Sequence, residues 1–166
     1  RSVLDLACGT GIVIGKILER CPNASVTGVD ITEEYLEVAR RRFADGPRDV
    51  RLIHADAETA PLEGTFDAVV CVDVLEHVSD LQRVLDEVQR VLRPGGIFLF
   101  DTINRNPLSW LFAIVGAEYI LRWLPRGTHR WGWFRKPAEI ADHLATGGLE
   151  VRDGALRVTL GIQGVR

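Results

Sequence analysis

Three features of this 166-residue sequence predict an α/β fold built on a doubly wound, mostly parallel sheet. Short apolar runs of strand type alternate with segments of helical period. The first run enters a turn of small residues and leaves it as a helix. Acidic residues stand where successive strands stop.

The elements follow in order. Val3-Leu4-Asp5-Leu6 is an apolar strand, and Ala7, Gly9 and Gly11 make the turn after it. Residues 12–18 begin a helix. Residues 25–29 are a β-branched run ending at Asp30. A helix is predicted over 33–43, with Thr32 as its N-cap. Residues 50–54 read as a strand ending near Asp56. Residues 66–72 are almost continuously apolar, as in a strand buried on both faces. Residues 80–92 give the clearest amphipathic helix, with Leu81, Val84, Leu85, Val88, Val91 and Leu92 on one face. Pro94-Gly95-Gly96 stops it, and 97–100 is the fifth strand. The whole of 1–166 reads as one domain, with 104–136 inserted after that fifth strand.

Composition bounds the function. The length suffices for one full core. Hydrophobic residues make up 46% and charged residues 26%, the balance of an ordinary globular domain. A net charge of −3 indicates no general nucleic-acid surface. Cys8, Cys21 and Cys71 form no Cys-x-x-Cys pair, which suits a reducing compartment and speaks against a disulfide framework or a zinc site. Nothing reads as a signal peptide, and no apolar run approaches the ~20 residues that span a bilayer.

In doubly wound sheets ligands bind outside the carboxyl ends of the strands. The opening strand, turn and helix make a cradle for a nucleotide-like ligand, because small residues let the backbone approach closely. A dinucleotide site wants a third glycine, and Ile12, Val13 and Ile14 supply none. Asp30 follows the turn by about 20 residues, where a ribose-hydroxyl acceptor belongs. Ile31 is placed to cover one adenine face and Asp56 to accept the adenine amino group. Each has a plainer reading: a tight turn without ligand, a helix N-terminal charge at Asp30, a turn former at Asp56.

The acceptor side is read from two segments. If the chain turns helical after residue 72, Asp73, Glu76 and His77 share a face at i, i+3 and i+4. Such a set can ligate a divalent cation that favours a phenolate. Without metal, His77 can act as general base. In a third reading, Glu76 and His77 pair locally in a helix entry. The Asn/Asp-Pro-Pro-aromatic motif of many enzymes that act on nucleic-acid bases is absent, which disfavours a nucleic-acid substrate. Residues 107–126, read as a helix, are apolar almost all round, broken by Glu118 and Arg122. Trp110, Tyr119, Trp123, Arg122 and Arg126 are types found at bilayer interfaces. The segment is either a lid over the site or a face for an apolar substrate or a membrane surface.

Asp5-x-Ala7-x-Gly9-x-Gly11 resembles the first motif of class I S-adenosylmethionine methyltransferases, with Ala7 in place of its first glycine. Phe66-Asp67-Ala68-Val69-Val70 and Leu92-Arg93-Pro94-Gly95-Gly96 resemble later motifs of the same Rossmann-like fold. The resemblance assigns Asp5, Ala7, Gly9, Gly11, Asp30, Ile31 and Asp56 to S-adenosyl-L-methionine, and puts Val72 at its methionine end. Asn104-Arg105-Asn106, Ser109-Trp110-Leu111, Val115-Gly116-Ala117-Glu118-Tyr119-Ile120-Leu121-Arg122, Pro125-Arg126-Gly127-Thr128-His129 and Lys136-Pro137-Ala138-Glu139 resemble the ubiquinone-biosynthesis O-methyltransferases.

That likeness implies a polyprenylated phenol or catechol substrate and magnesium on Asp73, Glu76 and His77. Asp73 departs from the family's more usual glutamate. Glu76 and His77 are the catalytic candidates. It implies a membrane surface met through 107–126 and other ubiquinone-biosynthesis proteins as partners. The place implied is cytoplasmic and peripheral on a bacterial inner membrane, or the matrix side of a mitochondrion. The family carries helices ahead of the glycine turn and a closing β-hairpin. Here 149–156 is the expected first hairpin strand and the last is expected to be missing, so this stretch by itself is expected to bind cofactor weakly or not at all. The alternatives are another small-molecule O-methyltransferase and a non-catalytic membrane-binding module.

Overall fold

The structure is a computed structural model that describes residues 1–46, 49–103, 111, 115, 119–121, 136–150, 157–159 and 162–164. The chain divides into two compact units, Arg1–Val72 with Asp80–Leu99, and Asp73–Ser79 with Phe100–Arg166.

The first unit alternates strand and helix as expected: β1 (Ser2–Leu6), α1 (Ile12–Arg20), β2 (Ser25–Asp30), α2 (Glu33–Phe43), β3 (Val50–His54), β4 (Phe66–Cys71), α3 (Leu81–Val91) and β5 (Leu92–Phe100). The sheet order is β3-β2-β1-β4-β5. β1 runs parallel to β2 and β4, and β2 parallel to β3. The order therefore reverses between β1 and β4, the switch point where doubly wound sheets bind ligands.

Burial explains the arrangement. β1, β2 and β4 are the most buried strands, and β3 exposes Arg51 and His54. Ile14 and Leu18 of α1 pack with Val3, Val26, Leu36 and Val70 in one core cluster. Each such aliphatic side chain contributes roughly 1.5–3 kcal/mol by burial. Within α3, Val84, Leu85, Val88 and Val91 are the buried positions, one stripe at helical spacing. Asp80 Oδ1 accepts the Arg83 N–H at 3.1 Å and caps that helix. In β4, Asp67 accepts the Ser2 N–H at 2.8 Å and pairs with Arg93, which satisfies a charge inside an apolar run.

Three expectations need correction here. Leu92 leaves the helix, and β5 begins at Leu92 rather than at Ile97. Pro94 disfavours helical backbone at the residue before it, so the chain is already extended there. β4 ends at Cys71, one residue short of the expected end. Thr32 holds the N-cap position of α2 but its side chain makes no cap bond. Its backbone N–H goes instead to Asp30 Oδ1 at 2.8 Å.

The second unit holds the turn after β4, then β6 (Thr102–Ile103), α4 (Pro137–Thr146), β7 (Arg157–Thr159) and β8 (Ile162–Gly164). Pro137 opens α4 at a position that needs no N–H, and Ile140 and Leu144 are its buried residues. β7 and β8 form an antiparallel pair, and β8 also pairs with β6. Of the strand expected at 149–156 only Leu149 and Glu150 are described, and neither is in a strand. Leu149 cannot begin a strand because its N–H closes the end of α4 on the Leu144 carbonyl at 3.0 Å. Residues 151–156, and 104–136 apart from Leu111, Val115, Tyr119, Ile120, Leu121 and Lys136, lie outside the described residues. Among the described residues, no helix is long and apolar enough to cross a membrane.

Candidate active site

The turn after β1 is held by the end of β2. The Cys8 N–H donates to the Val29 carbonyl at 2.9 Å, and the Gly9 N–H to Asp30 Oδ2 at 2.7 Å. Ala7, Gly9 and Gly11 all have left-handed backbone, at φ 57°, 53° and 76°. The three small residues therefore occupy the positions where a side chain costs most. Their surroundings differ. A Cβ on Gly9 meets open space, whereas one on Gly11 lies 2.7 Å from Phe43. Gly9 leaves room for a ligand, and Gly11 lets α2 pack against the start of α1.

The missing third glycine also has a packing cause. Ile14 is fully buried, and its Cδ1 sits 2.8 Å from where a Gly28 Cβ would be. Ile14 fills the space that Gly28 leaves empty.

Two carboxyl groups are buried at these strand ends, Asp5 at 2% exposed and Asp30 at 6%. Asp30 spends both oxygens on backbone N–H groups, of Gly9 and Thr32. Each oxygen keeps a further lone pair for an incoming hydroxyl. Asp5 is different, for its Oδ2 is buried and has no hydrogen-bond partner. Burial, and secondarily the nearby Asp30 charge, push the Asp5 carboxyl up to about 7. The Cys8 thiol beside them is pushed up to about 12, first by burial and then by Asp5 and Asp30. Cys8 is thus an inert thiol.

The remaining cofactor candidates stand at strand ends. Ile31 is 64% exposed directly after β2. Asp56 Oδ1 accepts the Glu58 N–H at 2.8 Å, so it is a turn former as well. Val72, just past β4, is 37% exposed. Sequence reasoning missed two supporting residues. A His54 ring nitrogen, Nε2, lies 2.9 Å from the Ile31 carbonyl, and Nδ1 lies 3.4 Å from Glu33. Arg42 Nε donates to the Thr10 carbonyl at 3.0 Å and braces the glycine turn. The place of His54 at a strand end was the available signal; the run Arg40-Arg41-Arg42 gave no hint of which arginine turns inward. A cavity of about 340 Å³ beside α3 is lined by Glu58, Arg83, Asp86, Glu87 and Arg90 among others, and by none of the predicted site residues.

In the second unit the expected ligand set is not assembled. The stretch from Asp73 to Ser79 is not a helix. Asp73 has φ 55° and gives its N–H to Asp101 Oδ1 at 2.6 Å. The His77 N–H closes a single turn on the Val74 carbonyl at 2.7 Å. Glu76 is buried while Asp73 and His77 are exposed, so the three do not share a face. Among the described residues, no three His, Cys, Asp or Glu are grouped to hold a metal ion. The i, i+3, i+4 argument fails because its helical premise does, and the residues present do not fit magnesium.

The sequence profile described as a methyltransferase domain matches residues 3–96, more than half of the chain. The chain belongs to the methyltransferase-domain family. The match begins in β1 and ends in β5, so it covers the glycine turn, Asp30 and Asp56. This methyltransferase domain is also similar to the ubiquinone biosynthesis O-methyltransferase of Pseudomonas paraeruginosa, at 44% identity over 155 residues, covering 92% of this chain and 66% of that protein. The protein of the same name from Thiobacillus denitrificans is 42% identical over the same coverage. The chain thus spans just under two thirds of the length of these curated relatives. Among solved structures, a putative methyltransferase from Bacillus halodurans C-125 superposes with a TM-score of 0.71 at 26% identity, over 92% of this chain and 64% of that one. An S-adenosylmethionine-dependent methyltransferase from Clostridium acetobutylicum gives 0.60 at 29% identity, over 67% of this chain and 46% of that one.

The first unit of the methyltransferase domain fits S-adenosylmethionine. Space is open at Gly9, Asp30 has acceptor capacity for hydroxyls, Ile31 offers an exposed apolar surface, and Asp5 presents a buried oxygen without a partner.

Proposed function

We propose that this chain is the cofactor-binding and catalytic part of an S-adenosylmethionine-dependent O-methyltransferase of ubiquinone biosynthesis, acting on a polyprenylated catechol or hydroxyphenol. The observation that carries the reading is 44% identity along 92% of the chain to a protein named for that activity.

S-adenosylmethionine supplies an electrophilic methyl group on a cationic sulfur. The chain's own residues do the rest. Asp30 accepts the ribose hydroxyls, Ile31 covers the adenine and Asp56 accepts from its amino group. Ala7, Gly9 and Gly11 keep the turn low enough for close approach, and Val72 lines the methionine end. The His77 imidazole would take the proton of the acceptor hydroxyl, whose oxygen would gain the methyl group as the cofactor sulfur keeps the electron pair of the broken bond. Glu76 is a positioning residue for the turn that carries His77. No step is routed through magnesium.

Leu111, Tyr119, Ile120 and Leu121 are exposed large apolar side chains in the second unit. They support contact of 107–126 with a membrane surface, where a prenylated ring is dissolved. The proposed location is accordingly peripheral, on the cytoplasmic face of a bacterial inner membrane or the matrix side of a mitochondrion.

The test is methyl transfer by the full-length protein to a prenylated catechol, with and without chelator. Turnover that survives chelator and is lost in His77→Ala supports the proposal. Turnover abolished by chelator and restored by magnesium refutes the metal-free base. Turnover on soluble catechols alone refutes the prenylated substrate.

A further inference from the structure

Asp5 is a buried carboxyl group whose Oδ2 has no hydrogen-bond partner. It lies at the carboxyl end of β1, beside the switch point, and is 2% exposed. In the sheet register it stands opposite Gly28 of β2 and Val70 of β4, neither of which can hydrogen-bond through a side chain. The titratable groups facing it are Asp30 at the end of β2 and the Cys8 thiol of the turn. Ile14 is the buried α1 residue on this side, and the first turn of α1 carries no acidic residue. Arg42 of α2 reaches the turn, but its Nε is spent on the Thr10 carbonyl.

Asp30 has both oxygens on backbone N–H donors. A second carboxylate beside it, desolvated and with an orphaned oxygen, is unfavourable. Burial, and then the Asp30 charge, favour the neutral acid at Asp5. A cation brought against Oδ2 reverses that preference, because an opposite charge favours the ionised form.

We propose that Asp5 holds a proton in the cofactor-free protein and releases it to solvent when a cationic group of the cofactor comes against its orphaned Oδ2. The inference rests on the cofactor reading given above and adds a proton to it. Binding becomes an exchange of one positive charge for another, which leaves the net charge of the buried pair unchanged. A ligand without a positive centre gains no such exchange, so the site discriminates by charge as well as by shape. S-adenosylmethionine has two candidate cations, its ammonium and its sulfonium.

The test uses the full-length protein. Carbon-13 spectra of labelled aspartate carboxyls, with Asp5 assigned through Asp5→Asn, give its titration directly. A midpoint near 7 is expected without ligand. In Asp30→Asn, which removes the neighbouring charge, the midpoint is expected to fall. Calorimetry between pH 5.5 and 7, in buffers of different ionisation enthalpy, counts protons on binding. This range lies below the titration of the ligand's own α-amino group at about 7.7–8.0.

Close to one proton released at pH 6 is expected for wild type, with affinity weakening about tenfold per pH unit below 7, and neither effect in Asp5→Asn. Release on binding both S-adenosylmethionine and S-adenosylhomocysteine assigns the ammonium as the partner. Release with S-adenosylmethionine alone assigns the sulfonium. An Asp5 midpoint near 4, or tight binding without proton release, overturns this inference and leaves the cofactor site standing. Binding of neither ligand overturns the cofactor reading itself.

Discussion

At the scale of single residues, the Asp5 carboxyl sets a pH dependence of stability. Its native value near 7 lies above the ordinary 3.8. The native state therefore binds a proton more tightly than the unfolded chain does, and stability is lost as pH rises from about 4 to about 7. The full effect is on the order of 4 kcal/mol, since each pKa unit is worth about 1.4 kcal/mol. Urea unfolding at pH 5 and pH 7.5 is expected to show the protein less stable at the higher pH, with the slope flattened in Asp5→Asn. Gly11 offers a second test. Alanine there is strained at φ 76° and meets Phe43. Gly11→Ala is expected to cost roughly 2–3 kcal/mol in urea unfolding, from left-handed strain and overpacking together. Gly9→Ala, with strain but open space around it, is expected to cost about 1–2 kcal/mol. The motif was legible as a motif. That its two glycines serve different masters was not, because Phe43 reaches Gly11 from 32 residues away.

Elements were legible where a single face decided them. The α3 stripe needed only its periodicity, whereas the capping role of Asp80, read as the first helical residue, emerged from the structure. Asp80→Ala is expected to cost about 1 kcal/mol, seen as a lower urea midpoint with an unchanged slope. Legibility failed where backbone hydrogen bonds overrode side-chain pattern. Asp73, Glu76 and His77 have helical spacing, yet the Asp73 N–H goes to Asp101 and the backbone there is left-handed. Leu149 has a strand-like neighbourhood, yet its N–H belongs to the end of α4. In 107–126 the apolar character was plain, and among its described members Leu111, Tyr119, Ile120 and Leu121 are exposed. Replacing both Ile120 and Leu121 with glutamate is expected to reduce co-sedimentation of the full-length protein with anionic vesicles several-fold. Binding unchanged by that double variant would remove these residues from the membrane contact.

At the scale of the whole molecule, the strand order β3-β2-β1-β4-β5 does the main functional work. It puts the ends of β1 and β2 side by side, so that Asp30 can hold the turn that follows Asp5. His54 at the end of β3 then steadies the Asp30–Ile31 stretch through the Ile31 carbonyl. His54→Ala is expected to raise the cofactor dissociation constant a few-fold without altering the unfolding midpoint by much. The alternation of strand and helix made this much of the architecture readable, and strand-end acids pointed to the candidate site. The proposed acceptor-side residues were less readable, because they stand on a turn whose geometry no periodicity encodes. The function proposed for this chain is methyl transfer from S-adenosylmethionine to a prenylated catechol. Its most direct test is labelled-methyl incorporation by the full-length protein, wild type against Asp30→Ala. The expected result is a methylated prenylated product from wild type and a loss of at least tenfold in kcat/KM in the variant. No incorporation by wild type, or equal incorporation by both, would contradict the claim.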